Sequence, residues 1–591
     1  MIRPTAVALY VIVICSGSLF VACVPKLEPR GKACPCNEST YKCCREANVC
    51  LFKYEICPGD RSDSSSAFGK ATDGEGETDS MSDTTFLPDS DTDSATDSVK
   101  LDSSSGSDDS DSGDSSIDSD TTTATDTATT RELSTDTPKE FDSNSDTTLD
   151  SDSGWDTTEI KKNDPCPVVK TCVMHVDGST TASLEKQDGQ SWATAYRSLQ
   201  DGIDAASDGR CDVWVAHGTY LPSRKMHFDQ LADDERTRAF DLTSGVSVYG
   251  SFSPQNTQPC IRNFDTLAST LSGDFLQNDA AVTNSDIDNA YHVVVTQKNT
   301  RLDGFVIAGG NAQHSTITNF RMGGGVAAMG ATTISNCTFV GNDAYTGGAL
   351  YSLSGAALTV TDSTFMRNEA QFGGAVANNA GEDTHIFFNS FFDSNKTIYH
   401  GNAGYDGGAI YNKEESHSLI VGCVFINNYA SRHGGAIRNY YAHTAIINCS
   451  AYGNRAINGG ALFNEVGPDH AVYVYNTVFW GNEADEALDI YNYNLTQPVI
   501  SNSIVGHYLQ YGGTSKVDTT ITVENDLFRL AHKNDLCPAP NSICINGGNN
   551  DYLSWASLSE TLGEMLNTDI SGNSRIEGDS VDIGAYEYHP D

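Results

Sequence analysis

The C-terminal part of this sequence predicts a right-handed parallel β-helix, all-β apart from a capping helix. Three observations carry that prediction. A unit of Phe-x-x-Asn followed by Gly-Gly-Ala recurs from about residue 303 onward. Its asparagines are spaced 26, 27, 33, 26 and 28 residues apart, a period that signals a solenoid. The residue two before each Phe position is small every time: Cys337, Ser363, Ser390, Cys423, Cys449 and Thr477.

The N-terminus is read first. Residues 1–22 form a signal segment, with Arg3 as its charge and Ala6 to Ile14 as an apolar run too short to span a bilayer. Leu19-Phe20-Val21-Ala22-Cys23 looks like a bacterial lipoprotein signal, with Cys23 as the lipidated residue. Such signals usually carry Leu three places before the Cys, and Phe20 holds that place here. Residues 23–58 hold Cys34, Cys36, Cys43, Cys44, Cys50 and Cys57. The spacing lacks paired C-x-x-C zinc ligands, and so short a segment cannot bury a core, so a disulfide-rich module is expected. Its connectivity is open.

Residues 59–163 are rich in Ser, Thr and Asp and carry a large share of the net charge of −43. Apolar residues are too sparse there to offset ordering entropy, so a disordered, self-repelling stalk is expected. As a coil of about 100 residues it would span on the order of 55 Å. The acidic balance argues against nucleic acid, which needs clustered Lys and Arg, and against electrostatic attraction to anionic lipid. The only membrane contact expected is the N-terminal lipid.

Residues 164–591 form the folded domain. Apolar positions 195, 196, 199, 203 and 206 recur at helical spacing and predict a helix that caps the first coil. Val213 to Ala216 and Gly218 to Tyr220 read as strands. The repeat follows: Phe339, Asn342, Gly347, Gly348; Phe365, Asn368, Gly373, Gly374; Phe392, Asn395, Gly407, Gly408; Phe425, Asn428, Gly434, Gly435; then Ala451 in place of Phe, Asn454, Gly459, Gly460; and Phe479, Asn482 leading into a degenerate Asp485-Glu486-Ala487. Each type has a packing reason. Phe and the small residue face inward. Asn is expected in a left-handed bend, its amide bonding to the next coil. The Gly pair permits positive φ, and Ala points into a narrow interior. Coils of two or three strands, about a dozen in all, are expected.

The unit resembles the repeats of chlamydial polymorphic outer-membrane proteins. A wider resemblance covers nearly all of 164–591. It rests on Ser191-Trp192-Ala193-Thr194-Ala195-Tyr196, Val213 to Tyr220, Gly245 to Gly250, Leu271-Ser272-Gly273-Asp274, Tyr291 to Val294, Leu302 to Phe305, and the ending Val581-Asp582-Ile583-Gly584-Ala585-Tyr586-Glu587. These motifs are similar to choice-of-anchor Q proteins of the pectin-lyase-like superfamily. That resemblance implies fold and a surface location more than chemistry. Its ending usually precedes a sorting anchor; four residues follow Glu587 here, so the N-terminal lipid is the expected anchor.

For chemistry, the residues favour binding to polysaccharide or to a host or neighbouring cell surface, by a monomer without cofactor. Tyr440, Tyr441, Tyr473, Tyr475, Tyr491, Tyr493, Tyr508 and Tyr511 are the candidate exposed aromatics for sugar stacking. The alternatives are a lyase or glycoside hydrolase of acidic polysaccharide using Asp274, Asp303, Arg301 and Arg321, and a passive spacer. The 14 His show no H-E-x-x-H or paired spacing, so no metal is expected. Cys337, Cys423 and Cys449 read as buried packing residues. Cys211–Cys260, Cys166–Cys172 and Cys537–Cys544 are the disulfides expected from proximity along the chain.

Overall fold

The computed structural model describes residues 41–44, 49–52 and, with short gaps, 170–590. The chain divides into two units, 1–132 and 133–591. In the first, the described residues form an antiparallel hairpin of Tyr41–Cys44 and Val49–Phe52, with Cys43 opposite Cys50 in the backbone register. The signal segment, Cys23, Cys34, Cys36, Cys57, Cys166, Cys260 and the acidic linker lie outside the described residues, as do the side chains of Cys43, Cys44 and Cys50. No helix among the described residues is long and apolar enough to cross a membrane.

The second unit is a right-handed parallel β-helix. Four sheets run through it, named here I to IV, with 12, 11, 7 and 11 strands. All pairings in them are parallel except that of Arg224–Lys225 at one edge of sheet IV. One coil visits each sheet once: Thr332–Ser335, Thr338–Val340, Asp343–Ala344 and Leu350–Ser352 precede the return to sheet I at Leu358–Thr361. Four strands per coil form where two or three are expected. The extra strand, in sheet III, is only two residues long and lies between the ladder Asn and the Gly corner, too short for an alternation to be visible.

The aromatic rungs stack as the repeat requires. Phe339, Phe365, Phe392 and Phe425 have ring centroids 4.7, 4.8 and 4.8 Å apart, nearly parallel, which matches the spacing between strands. The small residues do more than fill space. The Ser390 hydroxyl accepts the Ser363 N–H at 3.2 Å and donates to the Phe388 carbonyl at 2.9 Å. Thr477 does the same for the Cys449 N–H and the Tyr475 carbonyl.

The asparagines form a continuous buried ladder. Asn395 gives both its backbone N–H and its Nδ2 to Asn428 Oδ1, each at 3.0 Å. Asn428 does likewise to Asn454, and Asn454 to Asn482. Each Nδ2 also reaches a backbone carbonyl of the preceding coil, as Asn395 does to Phe365 at 2.8 Å. The expected left-handed backbone is not at these residues. It is one residue earlier, at Gly341, Arg367, Ser394, Asn427, Gly453 and Gly481. The reversal there is what aims the Asn amide inward.

The two glycines serve different needs. Only the first of each pair has positive φ, for example +71° at Gly407. The second lies under the next coil: a Cβ on Gly408 would meet the Gly435 carbonyl oxygen at 2.1 Å. The repeat also runs further than Gly-Gly-Ala. Asn378, Asn412, Asn439, Asn464 and Asn492 form a second interior ladder in sheet IV, with Nδ2 to Oδ1 distances of 2.8, 2.8, 2.7 and 2.6 Å.

The degenerate unit sits at Ala487-Leu488-Asp489, two residues later than expected. Ala487 takes the positive φ of the first Gly, and the Ala461 N–H bonds to the Asp489 carbonyl at 3.1 Å. Asp489 stands where other coils have Ala because the first ladder ends there. Its Oδ1 accepts Asn482 Nδ2 at 2.7 Å and its Oδ2 accepts the His507 N–H at 2.8 Å.

The ends are closed as follows. The capping helix spans Leu199–Ala205, shorter than the apolar pattern, because Ser198 caps its start by accepting the Asp201 N–H. Ala195 and Tyr196 precede it, and Tyr196 bridges to Val176. Leu199, Ile203 and Ala206 close the core. Cys172 bonds to Cys211, with Cα atoms 4.5 Å apart. This replaces the expected pairs with Cys166 and Cys260: strands Cys172–Val176 and Cys211–Ala216 are neighbours in sheet I, and their register sets the two cysteines side by side. No bond joins Cys537 to Cys544, which is a buried thiol. Cys337, Cys423 and Cys449 are buried thiols of the small-residue ladder. The ending Val581 to Glu587 turns back along the side of the helix. Ile570, Ile583 and Ala585 pack on the outward Val424, Ile426 and Val478, and the Gly584 N–H bonds to the Asn476 carbonyl at 2.9 Å.

Asn428→Ala strips partners from Asn395 and from the Phe392 carbonyl, and a buried group left unpaired costs about 1–3 kcal/mol. Denaturant unfolding should show at least about 2 kcal/mol lost, against a change within about 0.5 kcal/mol for Lys396→Ala on the surface. Burial pushes the Asp489 carboxyl up from 3.8 to about 6. Its contribution to stability is therefore full below 3.8 and is lost as pH rises through about 6. Asp489→Asn should abolish that part of the decline when unfolding is measured from pH 4 to pH 7.

Candidate functional site

The interior is filled by ladders, so chemistry has to come from side chains on the outside of the coils. The acidic and basic candidates do not assemble into one centre. Arg301 and Asp303 project from one strand of sheet I, but Asp303 is buried and already engaged. Arg262 reaches it at 2.8 Å, Arg301 at 3.2 Å and Asn336 Nδ2 at 3.1 Å. Asp274 follows a strand of sheet II and accepts the Asp279 N–H at 3.2 Å. Arg321 lies with its guanidinium 3.5 Å over the Tyr345 ring. Only Arg301 and Asp303 meet, and they meet as part of a closed ion-pair cluster.

The late tyrosines are less exposed than expected. Tyr491 is 6% exposed and stacks on Phe463 at 4.9 Å. Tyr475 is covered by Tyr552 at 4.0 Å. Tyr508 is in the core-facing register opposite Ile490. Three causes act: the Phe463 ring on the neighbouring strand covers Tyr491, the C-terminal helix Asp551–Ala556 brings Tyr552 over Tyr475, and strand alternation turns Tyr508 inward. Tyr440, Tyr441, Tyr473 and Tyr493 are half-buried, and the side chain of Tyr511 lies outside the described residues.

Two clusters were not visible as sites in the sequence. The first lies on the outer face of sheet IV. Asp406 accepts both Arg432 Nε at 3.0 Å and Nη2 at 2.9 Å, and Arg438 Nε at 3.3 Å. Arg438 also donates to Glu465 at 2.5 Å and lies 4.4 Å over Phe463. Burial alone would raise the Asp406 carboxyl. The His433 ring 3.4 Å away, the Arg438 charge and the Arg432 hydrogen bonds outweigh it and hold the carboxyl well below the usual range. Every charge here faces an opposite one, so this is an internal brace that leaves little to offer a ligand.

The second cluster is on the outer face of sheet I, at the corner with sheet IV. A groove of about 520 Å³ is lined by Thr384, Ile386, His417, Leu419, His443 and Tyr473, among others. Phe387, Ile420, Ile446 and Val474 point into the core, so alternation sends Ile386, Leu419, Ala445 and Tyr473 outward as its floor. The C-terminal segment closes the far side: Tyr552, Met565 and Leu566 pack against the outward Phe388, Val421 and Ile447.

Histidines form the near rim. His417 and His443 are paired in register, with rings 4.4 Å apart and nearly parallel. His470 follows 5.0 Å from His443. His470 Nε2 is 3.2 Å from Glu415 Oε1. Burial holds His417 and His443 below the ordinary histidine range, and for His443 the neighbouring His417 and His470 add to it. Both rings are therefore neutral at pH 7.

Glu415, His443 and His470 bring one ligand-type atom each within 4.8 Å of one another. The surroundings do not suit a metal. A ligating His donates its other ring N–H to an acceptor. Here His443 Nδ1 instead accepts the Ala471 N–H at 3.2 Å, and His470 Nδ1 is buried without a hydrogen-bond partner. The His443 proton therefore sits on Nε2. The rim thus carries the His443 ring, a donor at Nε2, and the Glu415 carboxylate, an acceptor, with ligand-type atoms of the two residues within 4.8 Å of one another. The sequence did carry a signal for it: His417, His443 and His470 are spaced 26 and 27 apart, the period of the coil.

Comparison with known proteins gives one family match. Residues 422–440 match the Chlamydia polymorphic membrane protein repeat, a stretch that holds Phe425, Asn428, Gly434, Gly435 and Asn439. No curated protein matches the chain. Among solved structures, the chain is similar to a PL6 alginate lyase in complex with a trisaccharide, at 17% identity and TM-score 0.34, over 57% of this chain and 60% of that one. It is similar to pectate lyase Pel9A at 14% identity and TM-score 0.33, over 71% and 97%. It is also similar to the mannuronan C-5 epimerase AlgE4 A-module of Azotobacter vinelandii at 11% identity and TM-score 0.19, over 59% and 100%. The chain spans less than two thirds of the alginate lyase. These similarities are low, and the fold rests on the chain's own four sheets, with a repeat similar to that of the Chlamydia polymorphic membrane proteins.

Proposed function

We propose that this chain is a lipid-anchored cell-surface protein of the choice-of-anchor Q type, whose β-helix binds an extended polymer in the sheet I groove without turning it over. The polymer is a polysaccharide, on a host or neighbouring cell or in the surrounding matrix. The observation that carries the reading is the groove. Its wall is built from successive strands, Thr384–Phe388, His417–Val421 and His443–Ile447, and continues to Tyr473. Successive coils step by about 4.8 Å, so the groove offers a repeating surface to a repeating ligand. An apolar floor with one aromatic ring suits the faces of sugar rings.

Hydrolysis of a glycosidic bond uses two carboxylates flanking it. Among the described residues lining the groove there is none; Glu415 stands at its rim. The surface location is supported by the match of residues 422–440 to a polymorphic membrane protein repeat. The signal before Cys23 supports the lipid, and the acidic segment 59–163 supports a stalk.

Affinity electrophoresis of the full chain through gels cast with single polysaccharides, neutral and acidic, tests the binding. At least one polymer should retard the chain, with no reducing or unsaturated ends released. Release of such ends would overturn the binding-only reading. Cys23→Ser should abolish palmitate labelling and shift the protein from membranes to medium; labelling that persists would contradict the anchor.

A further inference from the structure

We infer that the polymer held in the groove is an uncharged, hydroxyl-rich glycan, and that His443 and Glu415 read its hydroxyls beside the Tyr473 ring. This rests on the binding reading above. A sugar hydroxyl both donates and accepts. It is matched by a ring N–H donor and a carboxylate acceptor on one rim, and His443 and Glu415 provide them. The Ala471 N–H bonded to His443 Nδ1 at 3.2 Å leaves the ring proton on Nε2. The ligand-type atoms of His443, Glu415 and His470 lie within 4.8 Å of one another. His470 holds the Glu415 carboxylate from one side at 3.2 Å. The Glu415 side chain is 70% exposed, so the carboxylate keeps acceptor capacity open to solvent.

Charge decides against a polyuronate. No Lys or Arg lines the groove among the described residues. The carboxylate at the rim would lie in contact with a uronate, too near for salt to screen, since screening acts over about 8 Å at physiological ionic strength. Arg432 and Arg438, which could pair with uronates, are committed to Asp406 on another sheet.

The test runs the full chain through gels containing mannan, dextran or xyloglucan, and through gels containing polygalacturonate or alginate, all in about 0.15 M NaCl. Retardation by a neutral polymer is expected, weakened tenfold or more in His443→Ala and in Glu415→Ala. Glu415 is exposed, so its variant should fold, and an unchanged melting temperature checks this. Retardation by the polyuronates alone would overturn the inference and leave polymer binding standing. So would neutral-polymer retardation that both variants leave intact. Failure of every polymer to retard the chain sinks the binding reading and this inference with it.

Discussion

The structure depends on one interaction, the buried amide ladder. A coil of this size has a narrow interior, and its corners leave backbone N–H and carbonyl groups that no strand pairing reaches. In lipid-like surroundings each such group costs free energy unless bonded. Asparagine at one corner solves this with a single side chain. Its Oδ1 accepts two N–H groups from the preceding coil's Asn, and its Nδ2 reaches onward to the next amide and back to a carbonyl. The amide bonds only if the next coil has the same residue at the same height. That demand fixes the register of the whole stack. The Phe column, the hydroxyl and thiol column and the second Asn column all follow from coils held at one spacing. Where the first ladder runs out, the chain places an acid, Asp489, to receive the last Nδ2.

Once the interior is committed in this way, the outside is free to vary, and it varies strongly from face to face. The outer face of sheet II carries the chain's own C-terminal ending over Val424, Ile426 and Val478. The outer face of sheet IV is braced by Asp406 with two arginines. The outer face of sheet I keeps an open groove, because the C-terminal segment covers only its far column, Phe388 through Tyr475, and stops short of the histidines. The rim gains its order from the same stacking that builds the core: three histidines and one glutamate at the corner of successive coils stand in line because the coils do.

Much of the fold was legible in the sequence and little of the site. Phe, Asn and Gly recur at a period that only a solenoid explains, and the inward small residue follows from strand alternation. The left-handed position was misplaced by one residue because Arg367 and Ser394 hold it as well as Gly and Asn do; the ladder residues themselves looked like the turn residues. The second Asn ladder was missed since it begins three residues beyond the apparent end of the unit. The disulfide was misassigned because distance along the chain is a poor guide in a solenoid, where residues about one coil apart are neighbours. The histidines carry no helical metal spacing, whereas the fold brings together residues spaced by one coil. Most of the tyrosines are outward, but Tyr508 faces the core, and the covering of Tyr475 by Tyr552 depends on where the C-terminal segment packs.

Native-state hydrogen exchange tests the ladder account most directly. The backbone amides of Asn368, Asn395, Asn428 and Asn454 each donate to the next coil's Asn Oδ1. If the ladder holds the stack, they exchange only through global unfolding, among the slowest in the domain. The Gly467 to Ala471 corner beside the groove should exchange by local opening. Ladder amides exchanging as fast as that corner would contradict the account.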